Sequence, residues 1–300
     1  MSTKIKISEQ FKEVQDHICQ SLEALDKKST FQEDLWQREG GGGGRTRIIT
    51  DGNIFEKGGV NFSEVYGPVT EMMKSQLKLD GNEFYATGVS IVLHPKNPFH
   101  PIMHMNVRYF EMDNGVYWFG GGIDMTPHYV NKSAAAKFHK GLKDLCDTYH
   151  SDFYPEFKTW ADNYFFIPHR DETRGVGGIF YDHLKSKDHL EKDDLLRFAI
   201  ELGHLFPVLY TQQVELCATS EWTDEHETWR NVRRGRYVEF NLVYDRGTQF
   251  GLKTAGRIES ILMSLPQHAS WVYNFQPEKN SPEEETLSLL KKDVDWMAHL

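Results

Sequence analysis

Three strand-like segments between residues 84 and 120 follow one another too closely for a helix to intervene, and this limits the fold more than any other feature of the chain. The segments are 84–94, 102–111 and 115–120. The first two are linked by His94-Pro95-Lys96-Asn97-Pro98-Phe99-His100-Pro101, too rich in proline to be helical, and the last two meet at Asp113-Asn114-Gly115, a hairpin signal. Parallel neighbours need a crossover of a dozen or more residues, so these strands run antiparallel.

Alternation then sorts the side chains. In 103–110, His104, Asn106 and Arg108 share one face, and Met103, Met105, Val107 and Tyr109 share the other. In 83–94, Val89, Ile91 and Leu93 lie opposite Ser90, Val92 and His94. An antiparallel sheet with one solvated face gives the same alternation. The turn between the strands makes the two polar faces coincide, so an acid/base group, an amide and a guanidinium line one floor, suited to holding an anion and moving a proton.

Helical periodicity is expected near 8–26, 62–79, 131–149, 151–164, 190–216, 221–234, 254–264 and 283–298, and strands at 45–50 and 236–244, with shorter ones near 178 and 272. With no repeat and no obvious linker, these assemble into one α+β domain, residues 1–300, whose helices cover a large antiparallel sheet. The N-terminal pattern Phe11, Val14, Ile18, Leu22, Leu25 reads as an amphipathic helix rather than a signal or transit segment, and no apolar run reaches membrane-spanning length. Cys19, Cys146 and Cys217 form no Cys-x-x-Cys pair and read as free buried thiols, fitting a reducing cytoplasm.

A net charge of −10 argues against general affinity for nucleic acid or anionic membranes, so an anionic substrate must be met by local arginines. The densest cluster, Arg230-Asn231-Val232-Arg233-Arg234-Gly235-Arg236, has two readings: cations at a helix C-terminus, or a substrate or subunit contact. His204 reads as a core histidine, and Trp222, Trp229, Phe198 and Phe206 as helix packing. No P-loop, dinucleotide fingerprint or His-Glu-x-x-His motif is present. Three glycine clusters, at 40–44, 120–122 and 175–178, lie beside charged residues; each serves tight turning, and together they suggest backbone closing over a large flat ligand.

The runs Gly-Gly-Gly-Gly-Arg (41–45), Ala-Thr-Gly-Val-Ser (86–90), His-Pro-Lys-Asn-Pro (94–98), His-Met-Asn-Val-Arg (104–108), Trp-Phe-Gly-Gly-Gly-Ile-Asp-Met-Thr-Pro (118–127), Arg-Gly-Val-Gly-Gly (174–178) and Tyr-Asp-Arg-Gly-Thr-Gln-Phe-Gly-Leu (244–252) resemble the oxygen-dependent coproporphyrinogen III oxidases over essentially the whole chain. The resemblance implies an α+β fold with a large antiparallel β-sheet flanked by α-helices on both faces, and a homodimer. It also implies oxidative decarboxylation of the ring A and B propionates of coproporphyrinogen III, with O2 as co-substrate and no organic cofactor.

By the same resemblance His104 matches the proton donor and Asp124 the acid that engages the pyrrole N–H groups. Ser90, Asn106, Val107 and Arg108 match substrate contacts, as do Ala255, Gly256 and Arg257, where Ala255 replaces the usual glycine. Arg246 is a further propionate clamp, and residues 237–272 match the region of dimer contact. His94, His104, His139 and His169 match proposed ligands of a divalent metal, manganese among them; a coordinated His104 cannot also shuttle a proton, so the two roles compete. Taken singly, His139 reads as a surface or capping residue of its helix and His169 as an exposed turn residue. A metal-dependent oxygenase or hydrolase and a noncatalytic tetrapyrrole carrier are the alternatives.

Overall fold

The computed structural model describes residues 3–71, 73–74, 80–217, 221–253 and 256–300. Its centre is a seven-stranded antiparallel sheet: β1 (Gln32–Gln37), β2 (Gly42–Thr50), β3 (Phe55–Pro68), β4 (Glu83–Pro95), β5 (Ile102–Met112), β6 (Tyr117–Thr126) and, after a two-stranded ribbon (β7, Phe166–Ile167; β8, Glu172–Thr173), β9 (Gly178–Leu184). The first six strands pair in chain order and β9 joins the free edge of β6.

Register follows from burial. Val89, Ile91 and Leu93 of β4 pair with Val107, Met105 and Met103 of β5, all fully or almost fully buried. Each is worth about 1.5–3 kcal/mol, and a one-residue slip of either strand would move its three to the polar face. Against this apolar face pack α1 (Thr3–Asp26), through Phe11, Val14, Ile18 and Leu22 at helical spacing, and α4 (Lys192–Leu216), through Phe198, Leu202 and Phe206. Between them in sequence come α2 (Lys132–Tyr149), N-capped by Asn131, and α3 (Phe153–Tyr164), whose Phe157 stacks on Tyr181 of β9. On the opposite face α5 (Asp224–Val243) lays Tyr237 on Val92 and Ile102, followed by α6 (Arg246–Lys253) and α7 (Ile258–Leu262). The chain ends with α8 (Pro282–Leu289) and a 3-10 turn, Trp296–His299.

The triple of close strands is present as expected, but three expected elements are not. Residues 62–68 continue β3 instead of opening a helix; Phe62, Val65, Tyr66 and Val69 fall at helical spacing, yet Phe62 pairs with Val89 and Val65 with Ala86. Glu71 and residues 73–74 are helical, and 75–79 lie outside the described residues. Residues 236–243 are helix, not strand: their β-prone composition yields to a stripe of Trp229, Arg233, Tyr237 and Phe240 that buries one side of α5. No strand forms near 272. The polar edge strand β1, with Glu33 and Asp34, carries no hydrophobic alternation to reveal it. Cys19 and Cys146 are buried free thiols, while Cys217 is half-buried.

Candidate active site

The polar face of the sheet is organised in rows perpendicular to the strands. One row runs Asp34, Thr46, Asn61, Ser90, Asn106, Gly122 across six strands, each residue opposite the next. The neighbouring rows place Gly88, Arg108 and Gly120 on one side and Val92, His104, Asp124 and Gly178 on the other. Gly178, with φ +156°, lets β9 begin directly against Asp124; a Cβ there would fall 2.0 Å from the Ile123 carbonyl oxygen.

His104 Nδ1 lies 2.8 Å from Asp124 Oδ1, and Asp124 Oδ2 accepts from Arg174 Nη2 at 2.6 Å. Arg174 Nη1 donates to Asn241 at 2.7 Å. The guanidinium sits 4.5–4.7 Å from the ring centroids of Phe165, Tyr237 and Phe240, a favourable enclosure for a cation in a dry setting. Asp124 and Arg174 are each only 2% exposed. Burial alone would raise the Asp124 pKa, but the Arg174 charge and the His104 hydrogen bond outweigh it and hold the carboxyl below its ordinary value. Ionised Asp124 fixes the proton on His104 Nδ1 and leaves Nε2, on a ring 18% exposed, for an incoming group. Both carboxylate oxygens are therefore engaged by protein partners, so Asp124 is placed behind His104 and not as an open acid facing pyrrole N–H groups.

Beside this relay, Arg108 Nη1 donates to Asn106 Oδ1 at 2.6 Å, and Ser90 lies opposite Asn106 on the same face. Val107 points the other way, fully buried in the core against the helices, so its side chain cannot meet a ligand on the His104 face. Arg257 is ion-paired with Asp34, donates to Ser260 at 3.1 Å, and stands 5.9 Å from the Trp36 ring centroid. Thr46 joins this corner, donating to Asn61 at 2.6 Å and lying 2.9 Å from Ser260 Oγ. Gly256 turns back on Gly251, and Ala255 lies outside the described residues. Exposed Arg246 begins α6, 5.1 Å from the Tyr164 ring centroid.

The four histidines matched to metal ligands do not converge. Buried His139 donates Nε2–H to the Val176 carbonyl at 2.9 Å and uses Nδ1 with the Tyr154 hydroxyl; it is a core histidine, not a surface one. His169 spends both nitrogens on Glu239 and Tyr244. His94, fully buried, donates Nε2–H to the Ser264 carbonyl at 2.8 Å. Coordination needs a free lone pair from each ring, and only His94 and His104 retain one. Among the described residues no group of three or more His, Cys, Asp or Glu is arranged to hold a metal ion. The donor set does not fit the implied metal.

Three other expectations change; Trp222, expected to pack within a helix, lies before α5 and is exposed. His204 is exposed and meets His17 edge-on at 4.7 Å instead of lying in the core. The arginine cluster of α5 is buried inside the helix, not at its C-terminus or on a surface: Arg233 pairs with Glu172 at 2.8 Å, Arg234 with Glu56 and the Pro95 carbonyl. Arg174 and Asn241 were not identified as site residues from the sequence; the signal was there in Arg174 opening the third glycine run, but nothing local ties it to Asp124, 50 residues earlier.

The profile of the family described as coproporphyrinogen III oxidase matches residues 6–296. Similar proteins include coproporphyrinogen-III oxidase 1, chloroplastic, of Arabidopsis thaliana, 45% identical over 311 residues spanning 99% of this chain and 80% of that protein. The mitochondrial oxygen-dependent coproporphyrinogen-III oxidase of Rattus norvegicus is also 45% identical, over 99% of this chain and 69% of its own. The chloroplastic enzyme of Nicotiana tabacum is 45% identical over 95% and 75%.

Proposed function

The chain belongs to the coproporphyrinogen III oxidase family, and from that premise we infer that the polar face of the sheet is where its substrate reacts. The enzyme is an oxygen-dependent oxidoreductase of heme biosynthesis that converts two propionates of coproporphyrinogen III to vinyl groups. For each, R–CH2–CH2–COO− + O2 + H+ gives R–CH=CH2 + CO2 + H2O2: the side chain loses two electrons, dioxygen gains them, and one proton is consumed.

That proton assigns the relay its work. His104, protonated at Nε2, supplies it, and ionised Asp124 orients the ring and stabilises the imidazolium. Arg174 keeps Asp124 ionised in a buried setting. The observation that carries this reading is the relay's position: Nε2 of His104, on a ring 18% exposed, lies on the same face as Ser90, Asn106 and Arg108.

Binding calls for guanidiniums at the rim, where forked hydrogen bonds fix orientation. Arg108, Arg246 and Arg257 serve the propionates that do not react; a clamp on the reacting carboxylate would stabilise the very anion that must be lost. Ser90 and Asn106 line the floor, Gly256 adjoins Arg257, and any contact at Val107 is through its backbone. No step is routed through a metal, because the His94, His104, His139 and His169 set does not offer the lone pairs.

The chain acts as a single catalytic unit with the family's sheet flanked by helices on both faces. It works as a homodimer; the exposed Leu242, Val243, Leu252, Ile258, Trp271 and Val272, all within 237–272, are apolar side chains available for that contact. No helix among the described residues is long and apolar enough to cross a membrane. A cytoplasmic setting is supported by the three free cysteines, while the plant and rat relatives carry organelle names.

The test is conversion of coproporphyrinogen III by metal-stripped protein in air and under argon, following CO2 and protoporphyrinogen IX together. Turnover in air that vanishes under argon is expected. Turnover that returns only with a divalent metal would instead make histidines a ligand set and remove His104 from proton transfer.

A further inference from the structure

The rim of the site contains one carboxylate, Asp182, that the reaction as described leaves unused. Arg108 Nη2 lies 3.1 Å from Asp182 Oδ1, while Arg108 Nη1 donates to Asn106. Both side chains come down on Gly120: a Cβ there would fall 2.6 Å from Asp182 Oδ1 and 2.7 Å from Arg108 Nε, so only glycine admits the pair in this position. We propose that Asp182 is the positioning residue for Arg108, setting the angle at which that guanidinium meets a substrate carboxylate.

Several features of β9 converge on placing this one carboxylate. The β6–β9 pairing shifts register between Phe119 and Gly121, which re-aims the side chains at the end of β9. The next residue, His183, holds a left-handed φ of +50°, a conformation that a non-glycine residue keeps only where its surroundings require it. Its ring packs on Trp118 at 4.6 Å, and its backbone N–H donates to Asp182 Oδ1 at 2.9 Å. Asp182 is thus held from its own strand and reaches Arg108 from the side.

The pair is 39% and 28% exposed, and ion pairs in that setting add little to stability. Its consequence is geometric. A guanidinium has five N–H groups in a rigid fork. With one hydrogen of each terminal nitrogen given to Asn106 and Asp182, the second hydrogen of each remains for a two-point contact with a carboxylate. A long, rotamer-rich side chain ordered before binding does not have to be ordered by the substrate.

The inference rests on Arg108 acting as a propionate clamp. Steady-state kinetics with coproporphyrinogen III would compare the full-length protein with Asp182→Asn, Asp182→Ala, Arg108→Ala and the double variant Arg108→Ala/Asp182→Asn. Loss of Asp182 raises KM about fivefold with kcat within about twofold, the size expected for losing the ordering of one such side chain. The effect disappears in the Arg108→Ala background, since the residue acts through that guanidinium. An unchanged or lowered KM for both Asp182 variants would overturn the proposal, the second because Asp182 would then be a competitor of substrate. The same fivefold rise in the Arg108→Ala background would overturn it too, by placing its action elsewhere. If Arg108→Ala itself leaves KM unchanged, the clamp is wrong and the inference falls with it.

Discussion

His104 and Asp124 stand directly opposite each other on adjacent strands, with Nδ1 and Oδ1 2.8 Å apart. Strand register, more than side-chain reach, makes this contact: opposed residues of an antiparallel pair point to the same face a few ångströms apart. Arg174, 50 residues further along the chain, completes the line behind Asp124 and explains how a carboxylate that is 2% exposed remains ionised.

Asp124→Asn preserves shape but removes the charge that orients His104 and balances Arg174. Turnover is expected to fall by about 10²–10⁴-fold, the range of general acid–base help. Stability should drop by about 3–5 kcal/mol, because Arg174 would be a buried cation with no counter-charge. Steady-state kinetics and urea unfolding on the same preparation check both. A variant that keeps near-normal kcat and stability would rule out the relay.

Acid should weaken the same contact. The Asp124 pKa is lower in the folded chain than its ordinary value of 3.8. Its stabilisation is therefore complete above that ordinary value and is lost as pH falls through the depressed one. Arg174→Met, which fits among Phe165, Tyr237 and Phe240, removes the main charge holding that pKa down. Acid unfolding below pH 4 should then become less steep than in the unaltered protein; an identical acid limb would contradict the assignment.

Val107→Ala separates core from site. The side chain is fully buried on the helix-facing side of β5, so its loss should cost about 2 kcal/mol of stability and leave KM for coproporphyrinogen III unchanged. A rise in KM without destabilisation would mean that the face assignment of β5 is wrong.

His100 tests the neutral histidines of the interior. It is 7% exposed, neither ring nitrogen has a protein partner among the described residues, and burial lowers its pKa to about 4. Between pH 6.5 and 4 the unfolded chain binds a proton there that the folded chain does not, so stability falls as pH falls through that window. His100→Phe should reduce this slope by up to one proton, ~1.4 kcal/mol per pH unit. Guanidinium unfolding at pH 7, 6, 5 and 4 measures it, and parallel curves for the two proteins would disprove the buried neutral state.

The strands that carry chemistry were the most legible part of the sequence, because β4 and β5 bury one face completely and alternation there is unambiguous. β3 was not legible: Phe62, Val65, Tyr66 and Val69 satisfy a helical period as well as a strand, and pairing with β4 decides between them. The end of α5 misled for the converse reason, since its β-prone residues are held helical by what they pack on, Tyr237 on Val92 and Ile102. Of the site, His104, Asn106, Arg108 and Ser90 could be read from one pair of strands. Arg174, Asn241 and Asp182 could not, because each reaches the site across 50 or more residues of chain or from a strand whose register is shifted. Spacing alone does not say whether the four matched histidines meet, and they do not: His139 lies among the helices, on the opposite side of the sheet from His104.

The most direct test of the account is His104→Ala, with kcat and the dissociation constant for coproporphyrinogen III measured side by side. If His104 supplies the proton and does not hold the substrate, kcat falls by about 10²–10⁴-fold while affinity stays within a few-fold. Turnover near that of the unaltered protein, or a loss of rate fully accounted for by weakened binding, would contradict the relay as the catalytic centre.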